Sequence, residues 1–299
     1  MEKWRRVVGG VAGTPDSGVP GLPFLHRALL LPLLFAASKA LRLLSHLQRR
    51  TSTSTSLPVP VVSVGNLTWG GNGKTPMVDF LARAFHRIGV SPLILTRGYA
   101  GGDESRMLRR RLSDTSAKIG VGPNRAAVAT SMLRKYGAQI GVAILDDGMQ
   151  HLSLLRDVDI VMINALNPWG NKHLIPRGPM REPLTALTRA HILLIHHANL
   201  IGPLKIERLD FSDHHSFSSH DLQLIQDTLK KLVYQHKNNA VVLVTEKDYD
   251  RDPDVLRALD AKVWVLSSCL QIIPHEGQGD DEFMRKVREI ITASRHVKL

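Results

Sequence analysis

A glycine-rich loop between an apolar strand and a helix constrains the fold of this chain most strongly. Residues 59–65 form a short β-branched run that is typical of a buried parallel strand. The loop over residues 66–76 reads Asn-Leu-Thr-Trp-Gly-Gly-Asn-Gly-Lys-Thr-Pro, and a helical pattern extends from about Thr75 to Ile88. This strand–loop–helix order is the context in which a phosphate-binding loop, or P-loop, occurs.

The residues of this loop suit a nucleoside triphosphate. Its glycines let successive backbone N–H groups point at one centre, where an anion can bind. Lys74 can reach the β- and γ-phosphates, and the Thr75 hydroxyl can coordinate Mg²⁺. Thr68 stands where the strict eight-residue pattern has its first glycine, so the match is imperfect and a chance glycine turn is the alternative. The residues predicted to bind ATP are Gly70, Gly71, Asn72, Gly73, Lys74 and Thr75.

A pair of carboxylates at the end of another apolar strand predicts a metal site. Asp146 and Asp147 directly follow the run Ala143–Leu145, and P-loop proteins hold Mg²⁺ at this place. Because adjacent strand residues point to opposite faces, we expect one carboxylate at the metal and the other near Lys74 or a neighbour. An isolated Asp-Asp-Gly is more often a turn. Because the glycine-rich loop lies upstream, a metal site is favoured over a turn, and the predicted Mg²⁺ ligands are Thr75, Asp146 and Asp147.

Apolar runs alternate with helical segments over the rest of the chain. The runs occupy residues 92–96, 142–145, 158–163, 192–195, 241–244 and 263–266. The alternation predicts an α/β fold of the P-loop NTPase type, with a mostly parallel sheet, helices on both faces and a smaller C-terminal α/β part. A low-complexity Thr/Ser linker at residues 51–56 marks one boundary. The predicted division is 1–56 (targeting or membrane-interface segment and linker), 57–200 (P-loop kinase domain) and 201–299 (C-terminal part).

The N-terminal segment is basic and apolar. Glu2 and Asp16 are its only acids before residue 77, and from Leu33 onward apolar residues recur at helical spacing. The uninterrupted apolar run 28–37 is shorter than the roughly 20 residues that span a bilayer. The pattern predicts an amphipathic helix lying at an anionic membrane surface. An organelle transit segment is compatible with it, and an ordinary helix covering the core is the alternative.

Composition narrows the set of partners. The formal net charge of the 299 residues is +12, which suits nucleic acid, an anionic membrane or an anionic substrate. Aromatic residues make up only 5%, and no zinc-finger or RNP pattern occurs, so membrane and phosphate are favoured over nucleic acid. Cys269 is the single cysteine, which excludes an internal disulfide and a Cys-based zinc site. No protein partner is predicted.

Several short motifs occur together in the order of one known family. They are Val59–Pro76, Thr96–Tyr99, Asp146–His151, Arg156–Asp159, Gly170-Asn171, Pro176–Pro183, Asp213-His214 and Thr245–Asp248. With them the chain resembles the tetraacyldisaccharide 4′-kinases, which use ATP and Mg²⁺ to phosphorylate the 4′-hydroxyl of a lipid A disaccharide precursor, a tetraacylated glucosamine disaccharide 1-phosphate. The loop is most similar to that of plant members. The resemblance therefore implies a membrane-associated mitochondrial kinase, with the cytoplasmic face of a bacterial inner membrane as the alternative.

The resemblance also implies roles for individual residues. A Gly-Asp-Glu motif implies Asp103 as the catalytic carboxylate, and an Asp-His motif implies His214 as its partner, with Lys74 at the phosphates. A carboxylate bonded to an imidazole can accept the proton of an attacking sugar hydroxyl. Taken alone, Asp103 would fit a solvated turn and His214 a surface histidine. The residues implied for holding the disaccharide and its 1-phosphate are Arg97, Tyr99, Arg125, His151, Arg177, Arg181 and Glu182, each of which could instead be structural.

The chain departs from the family between the region His196–Asn199 and the Asp213-His214 motif. Family members carry a sizeable further segment there, whereas here only residues 200–212 separate the two regions. A splice variant or a mispredicted gene would have this form. A catalytically impaired kinase variant therefore stays open as an alternative to an active kinase. A P-loop NTPase acting as a switch or chaperone is the other alternative, because it explains Lys74, Thr75 and Asp146 equally well.

Overall fold

In the computed structural model of this chain, the described residues are 14, 16–21, 23–51, 54–69, 73–98, 103–165, 167–196, 209, 216–236, 240–267, 270–272 and 279–295. The helices are α1 (Leu31–Thr51), α2 (Lys74–Arg87), α3 (Asp103–Arg111), α4 (Arg125–Tyr136), α5 (Ser219–His236), α6 (Glu246–Arg251), α7 (Pro253–Arg257) and α8 (Asp280–Arg295). The strands are β1 (Val61–Gly65), β2 (Pro92–Thr96), β3 (Lys118–Val121), β4 (Val142–Asp146), β5 (Val158–Asn164), β6 (Ile192–His196), β7 (Val242–Thr245) and β8 (Val263–Leu266). Short 3₁₀ helices span Asp16–Gly21, Gly137–Gln139 and Leu184–Arg189, and a π-helical turn spans His26–Leu30.

Within the described part of the chain, the main sheet has six parallel strands in the order β3-β2-β4-β1-β5-β6. The strands β1 and β4 are neighbours, and Val64 stands opposite Asp146 in their register. Because both strands run the same way, the loop after β1 and the carboxylates after β4 emerge at the same edge of the sheet. The predicted α/β fold with a mostly parallel sheet is confirmed, and the fold itself brings the two motifs together.

Helices cover both faces of this sheet, as the alternation of side chains requires. Val62 and Ile94 point to a core formed with α2, where Phe85 is fully buried. The residues next to them along each strand point to the other face of the sheet. A second core lies there, in which Ala129 of α4 is buried with Leu93. Strands buried on both faces read as continuous apolar runs, which is why the sequence located β1, β2, β4 and β5 well.

The C-terminal residues form a second, smaller sheet and then return to the first. Strands β7 and β8 pair in parallel, and Ile225 of α5 packs with Leu256 of α7 in a separate small core. The last helix, α8, instead buries Val287 and Ile291 in the main core beside α2. The described part of 201–299 thus contributes to both cores, and the predicted division of the chain stays a prediction.

One side of helix α1 contacts the segment that contains Leu174 and Arg177. The Ser38 hydroxyl donates to the Leu174 carbonyl at 2.9 Å and accepts from the Arg177 backbone N–H at 3.2 Å. Leu34 is buried on the same side, whereas Leu33 is 66% exposed. No helix among the described residues is long and apolar enough to cross a membrane.

Candidate phosphate-binding site

The start of α2 carries the cationic end of the predicted loop. Gly73 precedes the helix with a φ of +70°, a left-handed conformation that glycine adopts without steric cost. Lys74 and Thr75 form the first turn, where backbone N–H groups and the helix dipole favour an anion. Gly70, Gly71 and Asn72 lie outside the described residues, so their binding role stays a prediction.

The turn after β4 lies directly against the end of β1. A Cβ atom added to Gly65 would stand 2.4 Å from the Met149 Cβ and 2.7 Å from its backbone nitrogen. The Gly148 N–H donates to the Val64 carbonyl at 2.9 Å, which fixes this turn to the strand. Only a residue without a side chain at position 65 allows that approach, and the approach brings Asp147 close to the start of α2.

Asp147 connects the loop lysine to an arginine of the Pro176–Pro183 motif. Its carboxylate lies 3.6 Å from the Lys74 ammonium and accepts hydrogen bonds of 2.7 Å on each oxygen from Nη1 of Arg181. Burial opposes ionisation of this carboxyl, but the charges of Lys74 and Arg181 outweigh it and lower its pKa. The residue has a φ of +52°, so the backbone itself turns the side chain toward α2. One carboxylate of the pair thus faces Lys74, but Asp147 follows the last residue of β4, so this turn sets its direction and not the alternation of strand residues.

Asp146 occupies a different environment from its neighbour. Its side chain is almost wholly buried, and burial together with the negative charges of Glu104 and Asp147 raises its pKa to about 7. The charges of Lys74 and Arg125 act in the opposite direction. A buried carboxyl that is reluctant to ionise gains most when a cation binds beside it.

The donor set beside Lys74 fits Mg²⁺ bound together with a nucleotide. Among the described residues, no group of three His, Cys, Asp or Glu side chains is placed to hold a metal ion. Mg²⁺ is usually bound by one or two carboxylates, while phosphate and water oxygens supply its other ligands. The Thr75 hydroxyl and the carboxylates of Asp146 and Asp147 are oxygen donors of this kind at one edge of the sheet.

A cluster of arginines surrounds His151 on the side of β4. Burial, followed by the positive charges of Arg125, Arg156 and Arg97, lowers the pKa of His151 to about 4. The imidazole Nε2 lies 2.8 Å from the Ser153 hydroxyl. His151 is therefore neutral at pH 7. The positive charges of the nearby guanidinium groups favour an anion on this side of the turn, and Arg156 is itself paired with Asp159 at 3.3 Å.

The other residues implied by the resemblance lie in several places. Glu182 is buried and accepts a hydrogen bond of 2.7 Å from Arg189. Arg177 is fully buried and donates to the Thr14 carbonyl at 2.9 Å and to Asp16 at 3.2 Å. Its guanidinium also stacks 5.3 Å from the ring centre of Phe35. Arg177 thus contacts the N-terminal segment. Nothing in the sequence predicted these contacts.

The two residues implied as catalytic lie at the limits of the described chain. Asp103 is the first residue of α3, but its side chain, like all of Tyr99 and His214, lies outside the described residues. Sequence reasoning passed over Glu104 and Arg156, whose charges act directly on Asp146 and His151. Both stand inside motifs that the resemblance had already marked, so membership of a motif was the available signal.

The fold and this site define a P-loop protein of the α/β class. A family model described as tetraacyldisaccharide-1-P 4′-kinase (LpxK) matches residues 26–102 and 100–205. The chain is 39% identical over 398 positions to the probable tetraacyldisaccharide 4′-kinase, mitochondrial, of Arabidopsis thaliana, covering 99% of this chain and 100% of that protein. This chain belongs to the tetraacyldisaccharide 4′-kinase family.

Bacterial relatives and a solved structure match in different ways. The chain is 40% identical over 171 residues to the tetraacyldisaccharide 4′-kinase of Anaeromyxobacter sp. (strain K), covering 50% of this chain and 44% of that protein. It therefore matches just under half the length of this relative. The fold is similar to a crystal structure of LpxK from Aquifex aeolicus in complex with ATP, with a TM-score of 0.51, 23% identity and coverage of 89% and 90% of the two chains.

The comparison with the Arabidopsis protein bears on the shortened region. The alignment runs over 398 positions, whereas this chain has 299 residues, so at least 99 positions have no counterpart in it. Because almost all of both chains is covered, these positions lie in the interior of the alignment. Most of the predicted junction at residues 200–212 lies outside the described residues.

Proposed function

We propose that this chain is an ATP-dependent kinase that phosphorylates the 4′-hydroxyl of a tetraacyldisaccharide 1-phosphate in lipid A biosynthesis. Membership of the family supports the reaction, and the arrangement around Asp147 supports it most directly. One carboxylate there joins Lys74, the residue suited to the phosphates of ATP, to Arg181 of the motif implied to hold the lipid disaccharide.

ATP is the proposed phosphate donor, with Mg²⁺ bound beside it. The N–H groups of Gly70–Gly73 and the ammonium of Lys74 would hold the β- and γ-phosphates, with Thr75, Asp146 and Asp147 as the candidate metal ligands. Mg²⁺, when bound, neutralises charge on the phosphate oxygens. The positive charge of Lys74 stabilises the charge that develops on the transferred group.

Proton removal from the acceptor hydroxyl is proposed for Asp103 with His214. Asp103 begins α3, and its neighbour Glu104 acts electrostatically on Asp146, so this end of the helix faces the carboxylate edge of the sheet. A carboxylate at that place can accept the hydroxyl proton while the oxygen attacks the γ-phosphorus of ATP and the bond to the β-phosphate oxygen breaks, which releases ADP. His214 would orient the carboxylate and stabilise its charge.

The 1-phosphate of the acceptor is proposed to bind the arginine cluster around His151. Arg97 supplies a guanidinium group that can donate bidentately to phosphate, buried Arg125 adds its positive charge, and neutral His151 can donate one further hydrogen bond. Tyr99, Arg181 and Glu182 are proposed to hold the disaccharide itself. Arg177 is fully buried, so its proposed contribution passes through the loop that it anchors.

A membrane-interface role for α1 is proposed from its exposed apolar face. The large apolar side chains more than 40% exposed around this helix are Phe24, Leu25, Leu29, Leu33, Leu41, Leu43 and Leu44. Arg27, Lys39 and Arg42 are close enough along the helix to contact anionic headgroups. We infer a mitochondrial, membrane-associated enzyme, in keeping with the name of the Arabidopsis relative.

The membrane proposal is tested by sedimentation with vesicles that contain anionic phospholipid. The full chain should sediment with them, and the double substitution of Leu29→Glu and Leu33→Glu should release it. Leu224→Glu, on the exposed side of α5, is the matched control. Equal sedimentation of all three proteins would refute a role for α1.

The kinase proposal is tested with γ-labelled ATP, Mg²⁺ and lipid A disaccharide 1-phosphate. Labelled lipid is expected from the full chain and from Lys286→Ala, an exposed lysine on α8, but not from Lys74→Ala. Release of free phosphate without labelled lipid would identify an NTPase instead. Nucleotide binding with neither product would identify an impaired variant.

The impaired variant is a specific second candidate because of the 99 or more unmatched positions. A chimera that carries the corresponding residues of the Arabidopsis protein decides between the two. Lipid phosphorylation by the chimera alone would show that the shortened chain is the impaired form. Equal activity of both proteins would show that the missing positions are dispensable.

A further inference from the structure

The short helix α6 lies against α3, the helix that begins with Asp103 and Glu104. The helix α6 contains most of the Thr245–Asp248 motif, which follows strand β7 and has been given no role so far. The Thr245 side chain caps the helix by accepting a hydrogen bond of 3.3 Å from the Asp248 N–H. Glu246 and Lys247, which directly follow Thr245, contact α3. This contact has no part in the reaction described so far.

Glu246 is the buried centre of the contact. Its carboxylate is paired with Arg110 at 3.0 Å through one oxygen and with Arg111 at 2.6 Å through the other, and its side chain is only 8% exposed. Arg111 is itself 11% exposed and pairs with Asp79 at 3.1 Å. Asp79 belongs to α2, the helix that begins with Lys74. The three helices α2, α3 and α6 are thus joined by one continuous chain of buried charges.

Lys247 makes the second connection at the other end of α3. Its ammonium lies 2.9 Å from the Glu104 carboxylate. Glu104 and Arg111 are seven residues apart, so they lie on the same face of α3 about two turns from each other. Opposite charges on α6 therefore meet both ends of that face. Such complementarity fixes the position of α3 along its axis as well as its distance from α6.

The position of α3 affects the carboxylate edge of the sheet. Glu104 lies near enough to Asp146 for its negative charge to act on that carboxyl. A shift of α3 would therefore move Glu104 and Asp103 relative to Asp146 and to Lys74. Displacements of about 1 Å in a reacting geometry can cost on the order of a hundredfold in rate.

We propose that Glu246 and Lys247 are positioning residues, which clamp α3 so that its first turn faces the phosphate-binding edge of the sheet. The proposal rests on the kinase function for its consequence in catalysis, because Asp103 has its role only there. The clamp itself is a statement about the helix and can be measured without substrate.

The first measurement is hydrogen–deuterium exchange of the full chain without ligand. Lys247→Ala and Glu246→Gln should accelerate exchange of the amides of residues 103–111 about tenfold, while α4 serves as the internal reference. Lys262→Ala is the matched control, because it removes an exposed cation of the same region that belongs to neither α3 nor α6. Unchanged exchange over residues 103–111 in both variants would overturn the clamp.

The second measurement is steady-state kinetics well below the melting temperature. Lys247→Ala should lower kcat about fivefold and Glu246→Gln tenfold or more, with the KM for ATP within about twofold of the original. Lys247→Arg should recover most of the loss because it restores the ion pair. A merely structural role would lower the melting temperature and leave kcat intact, and that result would overturn the positioning role.

The two proposals fail in different ways. If the unsubstituted chain transfers no phosphate to lipid, the proposed function falls, and the exchange experiment alone decides the clamp. If lipid is phosphorylated and neither exchange nor kcat responds to the substitutions, the clamp falls and the proposed function stands.

Discussion

Replacing Asp146 by asparagine should stabilise the ligand-free protein at alkaline pH, although it removes a proposed Mg²⁺ ligand. Burial and the charges of Glu104 and Asp147 raise the pKa of Asp146 from 3.8 to about 7. Between these two values the folded protein retains a proton that the unfolded chain has lost. The contribution of this carboxyl to stability is therefore complete below pH 3.8 and is lost as the pH rises to about 7.

The size of the effect follows from the two pKa values. At pH 8, above both pKa values, the full difference between them contributes, and the unfolding free energy is about 4 kcal/mol lower than at acid pH. At pH 5.5 roughly half of the interval between the two pKa values has been crossed, so the loss of unfolding free energy is about 2 kcal/mol. Asparagine has nearly the same shape and is neutral at every pH. Asp146→Asn should therefore raise the free energy of unfolding by up to these amounts.

Urea unfolding, followed by circular dichroism at pH 5.5 and pH 8, measures the difference. Asp254→Asn is the control, because the side chain of Asp254 is 91% exposed and its substitution should have a small effect. Addition of Mg²⁺ and ATP should reduce the advantage of Asp146→Asn, because only the original carboxylate binds the ion well. Destabilisation by Asp146→Asn at pH 8, or a gain that does not grow with pH, would refute the reasoning.

Three further predictions test the site and the core. Gly65→Ala should strongly reduce ATP binding, since its Cβ would meet Met149 at 2.4 Å and push back the turn that carries Asp147; calorimetric titration with affinity close to the original would contradict this. The ring signals of His151 in NMR spectra should stay constant between pH 8 and pH 5 and shift near pH 4, whereas a midpoint near 6.5 would show an ordinary imidazole. Ile291→Ala on α8 should cost about 2–5 kcal/mol in denaturant unfolding, because Ile291 is fully buried in the main core, and a loss below 1 kcal/mol would mean that α8 is not part of it.

Elements with a strong local pattern were located from the sequence within one or two residues. The strand predicted over residues 92–96 has the observed bounds, and the helix expected from about Thr75 begins at Lys74. The strand Lys118–Val121 was missed. It has four residues, includes Gly120 and lies at the edge of the sheet, so it carries neither a continuous apolar run nor a clear alternation.

The sequence by itself determined the glycine-rich loop before α2, the carboxylate pair and the parallel α/β arrangement. These depend on the order of neighbouring residues and on the periods of 2.0 and 3.6, which are local properties of the chain. Parallel neighbours then place Lys74 and Asp146 at one edge of the sheet, whatever the details of packing.

Only the tertiary structure decided which charged groups meet. Nothing local distinguishes Arg177, which is buried against Asp16, from Arg181, which binds Asp147 beside Lys74. Nor does the sequence show that Glu246 pairs with Arg111, although the two residues are 135 positions apart in the chain. An ion pair depends on distance and burial in three dimensions, and a side chain carries the same charge in the sequence whether its partner is four residues away or a hundred.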